Sequence, residues 1–179
     1  VVHFMGKKDT VFGILAVNSD GANPAAAGPE YFEPFLEKNG IDVKKNQVGV
    51  NYTLYMNAGS KEAVDQTNLE MVQILFMTQA VDLFFSDEEF FCYMAGTDYL
   101  ADLRDCLPKE VLDEYEEELV YAQGMESGET IAAGIRIGQE NEWIRDTGWY
   151  KSPVVAGLSE AMKDEALAVK MFLEMLGER

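Results

Sequence analysis

The stretch from Ala80 to Pro108, AVDLFFSDEEFFCYMAGTDYLADLRDCLP, constrains the fold more than any other. Val81 to Phe85 is a short, almost wholly apolar run, the pattern of a strand buried on both faces. It passes directly into Ser86-Asp87-Glu88-Glu89, where Ser86 and Glu89 have capping-box spacing. Asp87 and Glu88 complement the positive end of the helix that starts there. An aromatic helical turn, a glycine and a second small unit, YLADLRDCL, come next. Buried strand, ligand-facing corner, covering helix: this is the grammar of an α/β sheet. Because capping already accounts for the acids at the corner, their default role is structural rather than metal binding.

The same grammar recurs along the chain. Val11 to Val17 is a second buried-strand run, ended by the turn residues Asn18-Ser19-Asp20-Gly21. Pro29 opens a short helix, YFEPFLEKNG, with Gly40 at its stop position; Pro34 is tolerable only within a first turn. Gln47 to Tyr55 alternates Val48, Val50, Tyr52 and Leu54 on one face, as a half-buried strand does. Lys61 to Ala80 predicts the longest helix, with a stripe of Val64, Asn68, Met71, Val72, Leu75 and Phe76 that Ile74 and Met77 widen toward full burial. Pro108 to Leu119 predicts an acidic helix, and Val120 to Gln123 with Thr130 to Ile137 a hairpin around Gly128. Pro153 to Leu158 is a last strand, and Ser159 is placed to cap a final helix carrying Phe172 and Leu176. Strands and helices alternate for two-thirds of the length with no repeat and no linker. The expectation is one α/β domain over residues 10–179, an open, mostly parallel three-layer αβα sheet, with residues 1–9 as a tail.

Charge narrows the partners. The chain has 32 acidic against 14 basic residues, a net −18. Such a surface repels phosphate backbones and anionic lipid headgroups, which argues against nucleic-acid binding. The ordinary reading of so much acid is a solubility surface; the sharper one is capture of cations or of a basic partner. No apolar run reaches the roughly 18 residues of a membrane span. The start, VVHFMGKKD, places an apolar stub before Gly6-Lys7-Lys8, as removal of a signal or anchor segment would leave, though an arbitrary cut would look the same. A disulfide between the two cysteines, Cys92 and Cys106, would close a loop of about 15 residues and contribute about 3 kcal/mol. Free buried thiols are the favoured state, since Cys behaves as a small hydrophobe.

Catalytic chemistry has little to stand on. His3 is the only histidine, so a Ser-His or Cys-His pair is disfavoured. Neither GxGxxG nor GxxxxGK[ST] occurs after a strand, and Gly134 to Gly138 reads as strand. Paired carboxylates among so many acids arise by chance, and Asp113 to Glu118 lacks the loop and glycine of a calcium site. No catalytic residue, metal ligand or cofactor is assigned. Open α/β sheets bind ligands beyond the carboxyl ends of their strands, which here points to Asn18, Ser19, Ser86 and Asp87. The segment after Ile137 adds Trp143 and Trp149, which either stack on a sugar or partner, or lie in the core.

With those residues in view, the chain resembles the type II extracellular solute-binding proteins. Ala80 to Pro108 is similar to their segment of hydrophobic strand, acidic helix start, glycine and L-x-D-L. SPVVAGLSEAMKDEALAVKMFLEML is similar to their closing strand and helix. A second lobe of that family is inserted after a strand like Ala132 to Ile137, yet only about 15 residues separate that strand from Pro153, against the order of 100 that a lobe needs. The resemblance therefore implies a single reduced lobe, periplasmic-binding-protein type II-like. The start Lys7-Lys8-Asp9-Thr10 is similar to that of membrane-anchored proteins of this sort in Gram-positive gut bacteria. The resemblance also implies a non-catalytic extracytoplasmic domain, joined to a membrane only through an N-terminal anchor, that binds a small solute or an envelope protein. A protein-interaction module with no small ligand, a carboxylate-dependent hydrolase and a cytoplasmic location are the alternatives.

Overall fold

Six strands, β1 (Asp9–Ala16), β2 (Asn46–Asn51), β3 (Leu83–Ser86), β4 (Leu119–Gln123), β5 (Thr130–Ile137) and β6 (Val154–Leu158), form one open sheet in the order β2-β1-β3-β6-β5-β4. The computed structural model describes residues 6–178; His3 and the first five residues of the expected tail lie outside them. Among the described residues seven α-helices connect or follow the strands: α1 (Glu33–Lys38), α2 (Ala63–Met77), α3 (Glu88–Gly96), α4 (Leu103–Cys106), α5 (Lys109–Glu114), α6 (Glu142–Thr147) and α7 (Glu165–Leu176).

The α/β class and the open sheet are as expected, and the parallel pattern has a boundary. β1 is parallel to β2 and to β3, but β6 is antiparallel to both β3 and β5, and β4 is antiparallel to β5. Connection length decides this. Parallel neighbours need a crossover that runs back along the sheet, which α1 and α2 provide. The β4–β5 link is a tight turn, and the β5–β6 link carries only the six-residue α6, so both fold the chain back on itself.

Side-chain alternation along the strands divides the interior in two. Phe12, Ile14, Ala16, Leu83, Phe85, Ile135 and Ala156 point to one core, where they meet Leu36 of α1 and Phe172 of α7. Leu15, Val17, Phe84, Ala133 and Val155 point to the other, under Val72 and Phe76 of α2 and Phe90, Phe91 and Met94 of α3. The result is three layers, with β3 and β6 buried on both faces. Each fully buried Phe or Leu here contributes roughly 1.5–3 kcal/mol. Phe91 lies across β5 and β6 at Gly134 and Gly157. A Cβ at Gly157 would come within 2.6 Å of the Ala133 carbonyl oxygen and 2.7 Å of Phe91 Cζ, so only glycine lets the ring down onto the sheet.

Several local expectations are corrected. Asp87, not Ser86, caps α3: its Oδ2 accepts from the Phe90 N–H at 3.1 Å, while Ser86 is the last, fully buried residue of β3. Asp164, not Ser159, caps α7 through the Leu167 N–H at 3.1 Å. β2 stops at Asn51, whose side chain takes the Thr53 N–H in a local turn, so Tyr52 to Tyr55 belong to a loop. The acidic helix after Pro108 is α5 alone, followed by one 3-10 turn over Glu116–Glu118.

The largest correction concerns α2. Val72 and Phe76 are buried, but Val64 is 66% and Met77 70% exposed, and Met71 and Ile74 face solvent with them. A helix in the outer layer of an αβα stack has one stripe against the sheet and nothing outside it, so a stripe widened around the helix cannot all be covered. The two cysteines are free. Cys92 packs with the α2–α3 core and Cys106 with the α1–α7 core, on opposite faces of the sheet, so the possible Cys92–Cys106 bridge is not formed. Among the described residues no helix is long and apolar enough to cross a membrane.

Candidate functional site

The order β2-β1-β3 contains a reversal. The chain leaves β1 over one face of the sheet through α1 to reach β2, then crosses the other face through α2 to reach β3 on the far side of β1. Reversals of this kind open a crevice beyond the carboxyl ends of the two central strands, the usual ligand position in open α/β sheets.

Asn18 and Ser19 follow β1 there, and Ser86 and Asp87 end β3. The structure joins three of the four. Asn18 adopts a left-handed backbone (φ 56°), which Asn tolerates. Its Nδ2 donates to Asp87 Oδ1 at 2.7 Å and to the Met56 carbonyl at 2.8 Å, and its Oδ1 accepts the Met56 N–H at 2.7 Å. Ser86 Oγ donates to the same Asp87 Oδ1 at 3.0 Å. Asp87 thus accepts from Asn18, Ser86 and the start of α3 at once. Its lone pairs are committed to holding the corner. Ser19 turns the other way: its Oγ donates to the Tyr52 carbonyl at 2.8 Å and lies 3.2 Å from Tyr55 Oη.

On the α1–α7 side the crevice is closed. Trp149 is 0% exposed, stacked between Phe32 and Tyr52 with centroids 6.3 and 6.2 Å away; Trp143 is 7% exposed, edge-on to Phe32 at 5.0 Å. The exposed Trp pair considered from the sequence is therefore a pair of core side chains, since Phe32, just before α1, lies against both rings and Tyr52, in the loop after β2, stacks on Trp149. Burying such rings is strongly favourable. The Tyr150 hydroxyl seals the same side, reaching the carbonyls of Val17 at 2.7 Å and Phe85 at 3.1 Å, and burial pushes its pKa well above the usual phenol value.

The α2–α3 side is open. A cavity of about 250 Å³ lies between the loop after β2, the first turn of α2 and the first turn of α3. Met56, held by Asn18, and Phe90, held by Asp87, form its inner wall. Asn18 and Asp87 therefore stand behind the cavity and shape it from outside. The rings of Phe90 and Tyr93 stack at 6.0 Å along one side, with Leu69 beside them. Asp65 faces these rings from α2. It is 9% exposed, forms no side-chain hydrogen bond among the described residues and belongs to none of their ion pairs. Lys61 is at the mouth with its side chain in solvent.

Asp65, Phe90 and Tyr93 are the residues that reading the sequence missed. A signal existed: Asp65, Leu69, Val72 and Phe76 fall at i, i+4, i+7 and i+11, which puts one acid on the buried stripe of α2. Drawing the stripe through Val64 and Asn68 instead rotates it by one residue and hides the anomaly.

Two further concavities are rich in acid. One, at the carboxyl end of β5, is lined by Arg136, Glu140, Glu142 and Glu174. The other is an open groove with Asp98, Asp102 and Glu160. Arg136 is clamped by both carboxylate oxygens of Glu88 at 2.6 and 2.9 Å, and Asp102 by Arg104. Among the described residues no group of three His, Cys, Asp or Glu has the arrangement of a metal site. The thiols are poor nucleophiles: burial and nearby acids push Cys106 up to about 11 and raise Cys92 as well. No family model matches the chain, and neither a curated protein nor a solved structure matches it.

Proposed function

We propose that this chain is a non-catalytic ligand-binding domain, a single reduced lobe of the solute-binding type, which holds a small solute in the cavity beside the β1–β3 reversal. The observation that carries the reading is position. The cavity lies next to the carboxyl ends of β1 and β3, where open α/β sheets bind ligands, and the Asn18–Asp87 clamp behind it holds its inner wall, Met56 and Phe90, in place. Its volume, about 250 Å³, falls just under the roughly 300–1,000 Å³ of sites for drug-sized ligands, which suits a solute of few heavy atoms. The sequence resemblance supports the solute class and a place outside the cytoplasmic membrane.

Thermal unfolding in the presence of amino acids, amines, sugars and short peptides tests this. A ligand at 100-fold its Kd stabilises by about 2.7 kcal/mol, which for a chain of this size raises Tm by about 5–10 °C. No shift with any of them, and no NMR perturbation at Phe90 or Tyr93, would remove the reading.

One observation favours a second reading, a protein-interaction module. The solvent-facing stripe of Val64, Met71, Ile74 and Met77 on α2 is flanked by the exposed acids Glu62 and Glu70. It suits a partner with an apolar centre and a basic rim. Exchanging Met71 and Ile74 for Glu would abolish such a contact while leaving the cavity untouched.

A further inference from the structure

We infer that the solute is an organic cation, a small primary ammonium with an apolar body, and that Asp65 is its counter-ion. This rests on the cavity being the ligand site. Among the described residues the half-buried Asp87 and the buried Asp82 are satisfied. Asp87 accepts from Asn18, Ser86 and the Phe90 N–H. Asp82 accepts the N–H groups of Gly13 and Lys163 at 2.8 and 3.0 Å. Asp65 is the exception: nine-tenths buried, facing a cavity, and without a hydrogen-bonding or ionic partner among the described residues. Its carboxylate oxygens open into the cavity without a protein partner, so a group that supplies positive charge and N–H donors at this point finds an acceptor that nothing else occupies.

The walls select among cations. Calcium and magnesium take six or more oxygen ligands and zinc four, chiefly His and Cys, whereas the cavity presents one carboxylate among Ser60, Gln66, two aromatic rings and Leu69. An ammonium needs fewer partners. It gains from the aromatic rings of Phe90 and Tyr93 that line the cavity, and a hydrocarbon body attached to it can lie against Leu69 and Met56. Lys61, exposed at the mouth, joins no ion pair among the described residues and leaves the carboxylate available. The net charge of −18 raises the concentration of any cation near the surface, which speeds capture without selecting the site.

Isoamylamine and its neutral counterpart isoamyl alcohol, titrated into the isotopically labelled protein at moderate salt, separate the cation from its tail. The expected result is saturable movement of the Phe90 and Tyr93 resonances, with the amine at least ten-fold tighter than the alcohol. Asp65→Asn should remove that ten-fold preference, and Glu70→Gln, which deletes an exposed acid of the same helix, should keep it. Equal binding of amine and alcohol to the unaltered protein, or a preference that survives in a folded Asp65→Asn, overturns the cation inference and leaves the cavity as a ligand site. If neither probe nor any solute of the wider panel moves those resonances, both readings fall together.

Discussion

Asn18 Nδ2 lies 2.7 Å from Asp87 Oδ1, so the residue that ends the first strand's turn is bonded directly to the N-cap of the third helix in the chain. The two sit 69 positions apart. Asn18 also takes both backbone groups of Met56, which ties β1, the loop after β2 and the start of α3 together.

Replacing Asn18 with Ala removes three hydrogen bonds, two of them to backbone and one to a carboxylate, and leaves a Cβ at positive φ with no side-chain bond to offset it. A loss of about 2–3 kcal/mol is expected by urea denaturation. Asn18→Gly, which keeps the left-handed backbone easy, should recover about 1 kcal/mol of it. Equal stability of the two variants would show that backbone conformation contributes nothing here.

Asp82 gives a pH signature. Burial raises its pKa above the ordinary 3.8, outweighing the lowering by the Gly13 and Lys163 N–H groups. The folded protein then holds the proton more tightly than the unfolded chain. The resulting stability is fully present below 3.8 and is lost as pH rises through the raised value. Asp82→Asn turns an amide NH₂ toward one of two N–H donors and should cost about 1–3 kcal/mol. The gap between the natural protein and the variant should be widest in acid and narrow as pH rises through the carboxylate range. Denaturation curves taken at a series of pH values check the sign; a gap that widens with pH would contradict it.

The thiols predict slow chemistry. With Cys106 pushed up to about 11 and Cys92 raised by burial and Glu88, both remain protonated at pH 8. Alkylation by iodoacetamide should be much slower in the native protein than in urea. Diamide should give no intrachain cross-link in the native state, because the sheet separates the two side chains. Intact-mass spectrometry reads both results, and a rapid native cross-link would refute the layer assignment.

On α2, neighbouring residues should behave oppositely. Phe76→Ala empties a core position between Phe84 and Tyr99 and should cost about 3–5 kcal/mol. Met77→Lys, at an exposed position, should change stability by no more than about 0.5 kcal/mol. Unfolding midpoints of the two variants test the phase of the helix directly.

The α/β class, the strand cores of β1 and β3, and the corner at Asn18 and Asp87 were legible in the residues because their causes are local. Continuous apolar runs, turn residues and helix-start acids act over a few positions of chain. The cap moved by one residue, from Ser86 to Asp87, since both can accept an N–H and only the backbone path of β3 decides which one is in reach.

Burial is a different kind of fact. Trp149 is in the core because Phe32 and Tyr52 arrive on either side of it from distant parts of the chain, and no pattern within Gln139 to Tyr150 records that. The same holds for the phase of α2: Asp65 rather than Val64 faces inward only because of how the helix lies across the sheet. The amino-acid sequence by itself determined most of the strands and longer helices and the main turns, through propensity and short-range patterning, though not the end of β2 or the short α6. Tertiary structure alone decided which half of the sheet is parallel, which acid is buried without a partner, and on which side of the reversal a cavity remains, because these depend on contacts between residues far apart in the chain.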